Sequence, residues 1–352
     1  MIAPPEPDQT ERVILRTAEE FDPAQRILVV GDTTGALTAA ALANPDAQVW
    51  SWTTSRRDSR ELFPQDTRLR VLLDDPLTLD EFCAESQIQL VLARLPKSLA
   101  SLEDLARRVA LIGAPDVRLI AGGRVKHMTP SQNTALATAF AQVRGSRGLG
   151  KSRALVATSP IAGVTAPEAA AGRVVVRGVD KPLELRGISS TFGGAQADIG
   201  SVLLLEALAG VEAETVVDLG CGNGLLTAWA ASNYPNVLGS DDNLDAVLST
   251  RATLAANGLE ARVTWDDALS QEPDNSADLV LLNPPFHDGT AVDATLVQEL
   301  LDAAARVLRP GGQLWLVHNS HLRYRAELAA RFDAVSERAR DRRFTVLSAV
   351  AR

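Results

Sequence analysis

Short apolar runs alternate with helix-forming stretches along the whole chain. In the first half the apolar runs, which we predict to be buried strands, are Ile27–Val30, Gln48–Trp52, Leu90–Ala93 and Arg118–Ala121. Helices are predicted between them at Ala36–Ala43 and Ser101–Ile112. Buried strands that alternate with helices are typical of a parallel sheet covered on both faces. The first half therefore predicts an α/β domain.

The second half of the chain repeats this plan. Its predicted strands are Thr215–Asp218, Asn236–Ser240, Val263–Trp265, Ala277–Leu282, Leu314–Val317 and Phe344–Val350. Its predicted helices begin at Leu225, span Leu244–Asn257 with Gly258 as C-cap, and span Asp293–Leu308. The repetition predicts an α/β fold of two tandem Rossmann-like domains related by duplication.

The joint between the two halves is expected near residue 168. Ser159–Gly172 is rich in Pro, Ala and Gly, as a linker would be, and Val174–Val176 with Pro182–Arg186 suggests a hairpin beyond it. At about 150 residues per domain, a chain of 352 residues also suggests two domains. We therefore assign 1–168 to a first domain and 169–352 to a second.

The two copies differ where a ligand would bind. In a sequence alignment the glycine-containing loop of the first copy is two residues shorter, and no acid stands in the position of Asp218. Arg94-Leu95-Pro96-Lys97 stands where the second copy has Asn283-Pro284-Pro285-Phe286. We predict that the first copy is degenerate: it kept the fold, lost the site, and serves packing and substrate binding.

Charge is distributed unevenly. Apolar residues make up 46% and charged residues 22% of the chain, as expected of packed domains. The net charge is −9, yet segment 118–186 contains 11 basic and three acidic residues. A basic segment in an acidic protein indicates a local contact with a polyanion, although an unevenly charged solvated surface explains it equally well.

The cysteines and the apolar runs bear on the cellular compartment. Cys83 and Cys221 lie far apart, and no Cys-x-x-Cys pair occurs, so we predict neither a disulfide framework nor a metal site. The sequence contains neither an apolar run long enough for a membrane span nor a secretory signal pattern. These features predict a cytoplasmic protein.

A glycine-rich loop follows the first strand of the second copy. The pattern Asp218-x-Gly220-x-Gly222-x-Gly224 permits a tight turn and a close approach of ligand to backbone. The acid in front of it favours a ligand with a cationic amino-acid group over a pyrophosphate. We expect Asp218, Gly220 and Gly222 to bind a cofactor, and a merely structural turn is the alternative.

Two further acids follow the next two strands. Asp241 is expected to accept hydrogen bonds from both hydroxyls of a ribose, with Asp242 as the alternative. Asp267 is expected to accept from an adenine amino group, unless it is a helix N-cap.

Asn283-Pro284-Pro285-Phe286 is the pattern that defines the chemistry. Proline forces the residue before it into an extended conformation and removes an N–H donor, which leaves the Asn283 amide oxygen and the Pro284 carbonyl as acceptors. Two acceptors can hold the two hydrogens of an exocyclic amine, and Phe286 can stack on its ring. We predict that these four residues catalyse methylation of an amine, and a Pro-Pro turn is the alternative. His287 is expected to orient the loop or to receive the released proton.

These motifs resemble those of the bacterial ribosomal RNA (guanine-N2)-methyltransferases that contain two tandem methyltransferase domains. The resemblance covers most of the chain and rests on five segments: Leu95–Leu99, Phe192–Gly200, Asp218–Gly224, Asn283–His287 and 321–347. It implies two Rossmann-like class I methyltransferase domains, of which the first is degenerate and the second binds S-adenosylmethionine. The glycine loop and His321-Leu322-x-Tyr324 are more similar to the group that acts on large-subunit rRNA. His287-Asp288-Gly289 is more similar to the small-subunit group.

The resemblance therefore implies a monomeric enzyme that methylates the N2 amine of one guanine in 23S rRNA, either free or in a ribosomal subunit. The residues leave alternatives open: 16S rRNA as substrate, or another planar amine such as adenine N6 or a protein glutamine. A non-enzymatic ribosome-assembly factor that binds RNA is the alternative from a different class.

Overall fold

The computed structural model describes residues 5–61, 66–73, 75–189, 191–284 and 291–352. The chain forms two compact units that divide between Glu168 and Ala169. Within these described ranges, no helix is long and apolar enough to cross a membrane.

Unit 1 contains six helices and seven strands among the residues described. The helices are α1 Gln9–Ala18, α2 Ala36–Leu42, α3 Arg56–Glu61, α4 Leu79–Phe82, α5 Leu99–Ile112 and α6 Pro130–Ala137. The strands are β1 Arg26–Val30, β2 Gln48–Trp52, β3 Leu69–Val71, β4 Ile88–Arg94, β5 Gly113–Arg124, β6 Phe140–Gly145 and β7 Ser152–Pro160.

Unit 2 contains five helices and nine strands within its described part. The helices are α7 Ile199–Ala207, α8 Leu225–Asn233, α9 Leu244–Asn257, α10 Ala291–Val307 and α11 Arg325–Arg331. The strands are β8 Ala170–Val174, β9 Leu183–Gly187, β10 Thr215–Leu219, β11 Asn236–Asp241, β12 Arg262–Trp265, β13 Ala277–Leu282, β14 Leu308–Asn319, β15 Asp333–Arg340 and β16 Phe344–Val350.

Both units contain a seven-stranded sheet with the same strand order. The order is β3-β2-β1-β4-β5-β7-β6 in unit 1 and β12-β11-β10-β13-β14-β16-β15 in unit 2. The first five strands of each sheet are parallel, and the last two pair antiparallel. The predicted fold of two tandem Rossmann-like domains is therefore confirmed.

Alternating burial explains why the strands read as continuous apolar runs. In β1, Leu28 and Val30 belong to one buried cluster, whereas Ile27 and Val29 belong to another. Successive side chains of a strand point to opposite faces, so both faces of the sheet are covered. This burial on two faces removes the alternation of apolar and polar residues that a half-exposed sheet would show.

Helix α9 has the bounds that the sequence predicts. Asn243 caps its first turn, accepting from the Asp245 and Ala246 N–H groups, and Gly258 ends it at φ +64°. The antiparallel pair β8–β9 packs on this helix: the Glu184 N–H donates to Asn257 Oδ1 at 2.9 Å. The predicted hairpin is thus present, although its first strand begins at Ala170 rather than at Val174.

The strand register corrects the alignment of the two glycine loops. Val30 pairs with Ala93 in β4, as Leu219 pairs with Leu282 in β13. Val30 and Leu219 are therefore equivalent, and each is followed by a five-residue loop that ends at a left-handed glycine, Gly35 or Gly224. The expectation that the first loop is two residues shorter is wrong. The residue in the position of Asp218 is Val29.

Candidate active site

Apart from Asp267, which follows β12, the predicted site residues that the structure describes lie at the carboxyl ends of β11, β10 and β13. These strands are neighbours in the sheet, with β10 in the middle. The chain runs from β10 outward to β11 and β12 and later returns to β13 on the other side of β10, so the strand order reverses between β10 and β13. Parallel α/β sheets bind ligands at this kind of reversal.

The glycine loop leaves open space above its backbone. Gly220 has φ +87°, and a Cβ added there would meet nothing within 4 Å. Its N–H donates to Ser240 O at 2.8 Å, which ties the loop to the end of β11. A ligand can therefore approach the Gly220 backbone closely. Cys221 is buried, and burial raises its pKa well above the usual value, so it is a small neutral side chain.

Asp218 is a fully buried carboxylate at the base of this loop. Its Oδ2 accepts from Thr227 Oγ1 at 2.6 Å, while Oδ1 has no hydrogen-bond partner among the residues described. Burial raises the pKa of Asp218 to about 7, and the nearby charge of Asp241 contributes. A buried oxygen without a partner is costly unless a ligand supplies a donor. Asp218 thus fits a cationic group.

Asp241 ends β11 and supports the loop directly. Its Oδ2 accepts from the Gly222 N–H at 3.0 Å and its Oδ1 from the Asn243 N–H at 2.9 Å. Burial raises its pKa to about 6. Each carboxylate oxygen can accept a further hydrogen bond. Asp242, the alternative, is partly buried like Asp241, and its backbone carbonyl accepts from Trp265 Nε1 at 2.7 Å.

Asp267 lies in a turn segment after β12. No helix follows β12 in the described residues 266–276, so the reading of Asp267 as a helix N-cap is wrong. The neighbouring Asp266 instead accepts from Ser270 Oγ and from the Gln271 N–H, which holds the turn. Asp267 is partly exposed at the same edge of the sheet as Asp241. Its contact with adenine remains a prediction.

Asn283 follows β13 and contacts the first turn of α7. Its Nδ2 donates to Asp198 Oδ2 at 2.9 Å and to Ser201 Oγ at 2.8 Å. Pro284 is buried beside it. Pro285, Phe286 and His287, to which the sequence analysis also assigned roles, lie outside the described residues.

One cavity joins the glycine loop to Asn283. Besides the loop residues, among them Asn223, its lining includes Phe192, Asp198, Ser201 and Asn283. Residues from three separate stretches of chain therefore share one space. Sequence reasoning did not assign a role to Phe192, Asp198, Ser201 or Asn223. The cap pattern Asp198-Ile199-Gly200-Ser201 was the available sign of the α7 terminus.

A larger cleft of unit 2 is separate from these residues. It is lined by residues such as Thr215, Pro235, Arg251 and Glu272 and includes none of the predicted site residues. The side chain of His318 is buried in β14, with Nδ1 2.9 Å from Asn319 O and its ring against Tyr324. Burial lowers its pKa, which favours a structural role.

The equivalent position in unit 1 is filled by the protein itself. The register places Arg94 where unit 2 has Asn283. Arg94 forms ion pairs with Asp8 and with the fully buried Glu11, both from the start of α1. Asp32, in the loop after β1, accepts from the Gly35 and Thr38 N–H groups and caps α2. The charged groups of the first copy are thus occupied by internal partners.

The site of unit 2 matches the chemistry of S-adenosylmethionine. A partnerless buried carboxylate oxygen suits its ammonium group, the open backbone at Gly220 suits its amino-acid portion, and Asp241 suits its ribose. The fold and this set of hydrogen-bonding groups define a class I, Rossmann-like methyltransferase that uses S-adenosylmethionine.

Comparison with known proteins identifies the family. The family model "Methyltransferase small domain" matches residues 183–348, and the model "RLMG N-terminal domain" matches residues 8–160. The Ribosomal RNA large subunit methyltransferase G of Shewanella amazonensis is 32% identical, covering 93% of this chain and 87% of that protein. The protein of the same name from Streptomyces avermitilis is 34% identical, and the match covers 92% of this chain and 87% of that protein. The chain belongs to the ribosomal RNA large subunit methyltransferase G family.

A solved structure resembles the whole chain. The 16S rRNA N2 methyltransferase RsmC of T. Thermophilus, in complex with AdoMet and guanosine, is 27% identical with a TM-score of 0.80. The match covers 98% of this chain and 92% of that one. The predicted family and the predicted cofactor, S-adenosylmethionine, are therefore confirmed.

Proposed function

We propose that this protein transfers a methyl group from S-adenosylmethionine to the exocyclic N2 amine of one guanine in large-subunit (23S) rRNA, acting as a cytoplasmic monomer. The observation that carries the proposal is the cavity that Asn283 shares with the glycine loop. Relatives named for the large subunit support the choice of rRNA. The guanosine complex of the similar RsmC supports N2 of guanine.

In this proposal four groups of unit 2 hold the cofactor. Asp218 Oδ1 accepts from the ammonium, and the backbone of Gly220 and Gly222 lies along the amino-acid portion. Asp241 accepts from the ribose hydroxyls, and Asp267 accepts from the adenine amino group. Bound S-adenosylmethionine supplies an electrophilic methyl group on sulfur and leaves as S-adenosylhomocysteine.

Asn283 and Pro284 bind the amine to be methylated. The Asn283 Oδ1 and the Pro284 carbonyl each accept one amine hydrogen, and this turns the nitrogen lone pair out of conjugation with the base. Fixing that geometry in a site shielded from water is the main catalytic contribution. Phe286 is proposed to stack on the base. The nitrogen loses one proton as it gains the methyl group, and His287 is the proposed acceptor if it does not serve only to orient the loop.

A basic surface of unit 1 is proposed to contact the RNA backbone. We use the name basic tip for Arg124, Lys126, Arg147 and Lys151, all of them exposed. The Val125 N–H donates to Lys151 O at 2.9 Å, and Arg124 pairs with Ser152 in the sheet, so these segments lie side by side. No ion pair joins any of the four to a described residue, whereas Arg144 and Arg173 pair with Glu20 and Glu184. Unpaired cations are the groups that neutralise phosphates.

The direct test of the site is Asn283→Ala. We expect loss of methyl transfer to rRNA with nearly unchanged affinity for S-adenosylmethionine, measured by calorimetry. Asn236→Ala is the matched control, since Asn236 is exposed at the start of β11 and its side chain bonds, among the residues described, only to Glu214 O. A variant Asn283→Ala that methylates at the wild-type rate would disprove the proposed site.

The substrate is tested by nucleoside mass spectrometry of 23S and 16S rRNA from a strain that lacks the gene. Loss of N2-methylguanosine from 23S rRNA alone is the expected result. Loss from 16S rRNA alone would instead show that the substrate is 16S rRNA, as it is for the similar RsmC. Unchanged N2-methylguanosine in both would reject guanine N2 and leave adenine N6 or a protein glutamine as the amine.

A further inference from the structure

The amide of Asn283 is held in one orientation by the start of α7. Asp198 is the N-cap of this helix, and its Oδ2 accepts from the Ser201 N–H at 3.0 Å. The same oxygen lies 2.9 Å from Asn283 Nδ2. A carboxylate oxygen that accepts from a backbone N–H requires a second donor, not another acceptor, so the nitrogen of the amide must face it.

Both hydrogens of the amide are used by α7. One goes to Asp198 Oδ2, and the other goes to Ser201 Oγ at 2.8 Å. No residue in the described part of the chain donates to Asn283 Oδ1. The oxygen therefore points away from the start of α7 and is available to a donor in the cavity that Asn283 lines.

Unit 1 contains a contact between the positions that are equivalent to Asp198, Ser201 and Asn283 of unit 2. Asp8 caps α1 as Asp198 caps α7, and Glu11 stands three residues later as Ser201 does. There the two acids bind Arg94. The scaffold thus brings a helix start against the residue at the carboxyl end of β4 in unit 1 and of β13 in unit 2. In unit 2 the partner is an amide, and none of the described residues donates to its oxygen.

We propose that Asp198 and Ser201 are positioning residues, which fix the Asn283 amide with Oδ1 turned toward the substrate amine. This inference rests on the proposed function and deepens it. Without the two contacts the amide can rotate by half a turn and present its NH2 group, a donor, to the amine. A donor facing the amine hydrogens would repel them.

The test separates helix capping from amide orientation. Asp198→Ser keeps a cap for the Ser201 N–H but is too short to reach Asn283. Ser201→Ala removes only the second contact, since its backbone N–H stays. Asp198→Asn keeps an oxygen acceptor at the same place without the charge. Steady-state methylation is measured on rRNA extracted from the deletion strain and on 50S subunits, using the preparation that the wild type modifies.

We expect Asp198→Ser and Ser201→Ala each to lower kcat by about tenfold, as the loss of one buried hydrogen bond would. KM for RNA and Kd for S-adenosylmethionine should change by less than about twofold, and Asp198→Asn should restore most of kcat. Wild-type kcat in both Asp198→Ser and Ser201→Ala would overturn the inference. A weakened Kd for S-adenosylmethionine in Asp198→Ser that persists in Asp198→Asn would also overturn it, because Asp198 would then act on the cofactor through its charge.

Failure of the inference is distinguishable from failure of the proposed function. If Asn283→Ala is inactive while both α7 variants are fully active, only the orienting role is wrong. If Asn283→Ala is itself fully active, the proposed catalytic site is wrong.

Discussion

Replacing Gly220 with alanine separates the two roles of the cofactor loop, backbone conformation and open space. Gly220 has φ +87° and no neighbour within 4 Å of an added Cβ. The folded protein therefore meets no clash, and the cost is that of a left-handed alanine, about 1–2 kcal/mol. The methyl group would, however, extend into the cavity that the loop lines.

Gly258→Ala is the matched control for this substitution. Gly258 has φ +64°, also has no neighbour within 4 Å, and ends α9 in an exposed position. It should therefore cost the same 1–2 kcal/mol or so of stability without touching the cofactor. Urea unfolding of both variants and calorimetry with S-adenosylmethionine measure the two effects.

The expected result is equal destabilisation but unequal binding. Affinity for S-adenosylmethionine should fall about tenfold or more in Gly220→Ala, that is, by about 1.4 kcal/mol or more, and stay near the wild-type value in Gly258→Ala. Wild-type affinity in Gly220→Ala would refute the placement of the cofactor above Gly220. Equal loss of affinity in both variants would show that strain alone weakens binding.

Three further outcomes are expected. Burial raises the pKa of Asp218 to about 7, so below about pH 7 the free protein holds a proton there that the cofactor ammonium must displace, and affinity should weaken by about tenfold per pH unit below the pKa. Calorimetry in two buffers at pH 7, which is above the pKa of about 6 of Asp241, should detect proton release, and Asp218→Asn should remove most of it. Changing the four residues of the basic tip to glutamine should weaken rRNA binding and reduce the slope of log K against log salt concentration by about 0.7–0.9 per lost phosphate contact. The control Arg173→Gln, which removes a cation paired with Glu184, should change neither the affinity nor the slope. An unchanged slope in the fourfold variant would exclude the basic tip from the RNA interface. Arg94→Ala should destabilise unit 1 by about 3–5 kcal/mol, because it leaves Glu11 buried without its cation. Adding Glu11→Gln to this variant should recover part of the lost stability, as measured by urea unfolding. Equal stability of the single and double variants would contradict this reasoning.

The elements with buried apolar faces are predictable from the sequence. Strands β2, β13 and β16 and helix α9 have the predicted bounds, because a polar residue or a glycine marks at least one end of each apolar segment. Helix α1 is missed although five of its ten residues are buried. Strands β6 and β15 are missed because exposed residues dominate them. Exposed elements carry little apolar periodicity, and only their pairing with a neighbour makes them regular.

The candidate site, like the fold, could be predicted only in part from the sequence. The sequence by itself determined the duplicated fold, and it predicted the cofactor loop and the proposed amine-binding motif, since each motif depends on residue types in one short stretch. The tertiary structure decided the register of the two loops, the absence of a helix after Asp267, and the contacts of Asn283 with Asp198 and Ser201. Asp198 and Asn283 are separated by 84 intervening residues. Such contacts depend on how strands align and helices pack, and local propensity contains no information about atoms that only folding brings within 3 Å or so of each other.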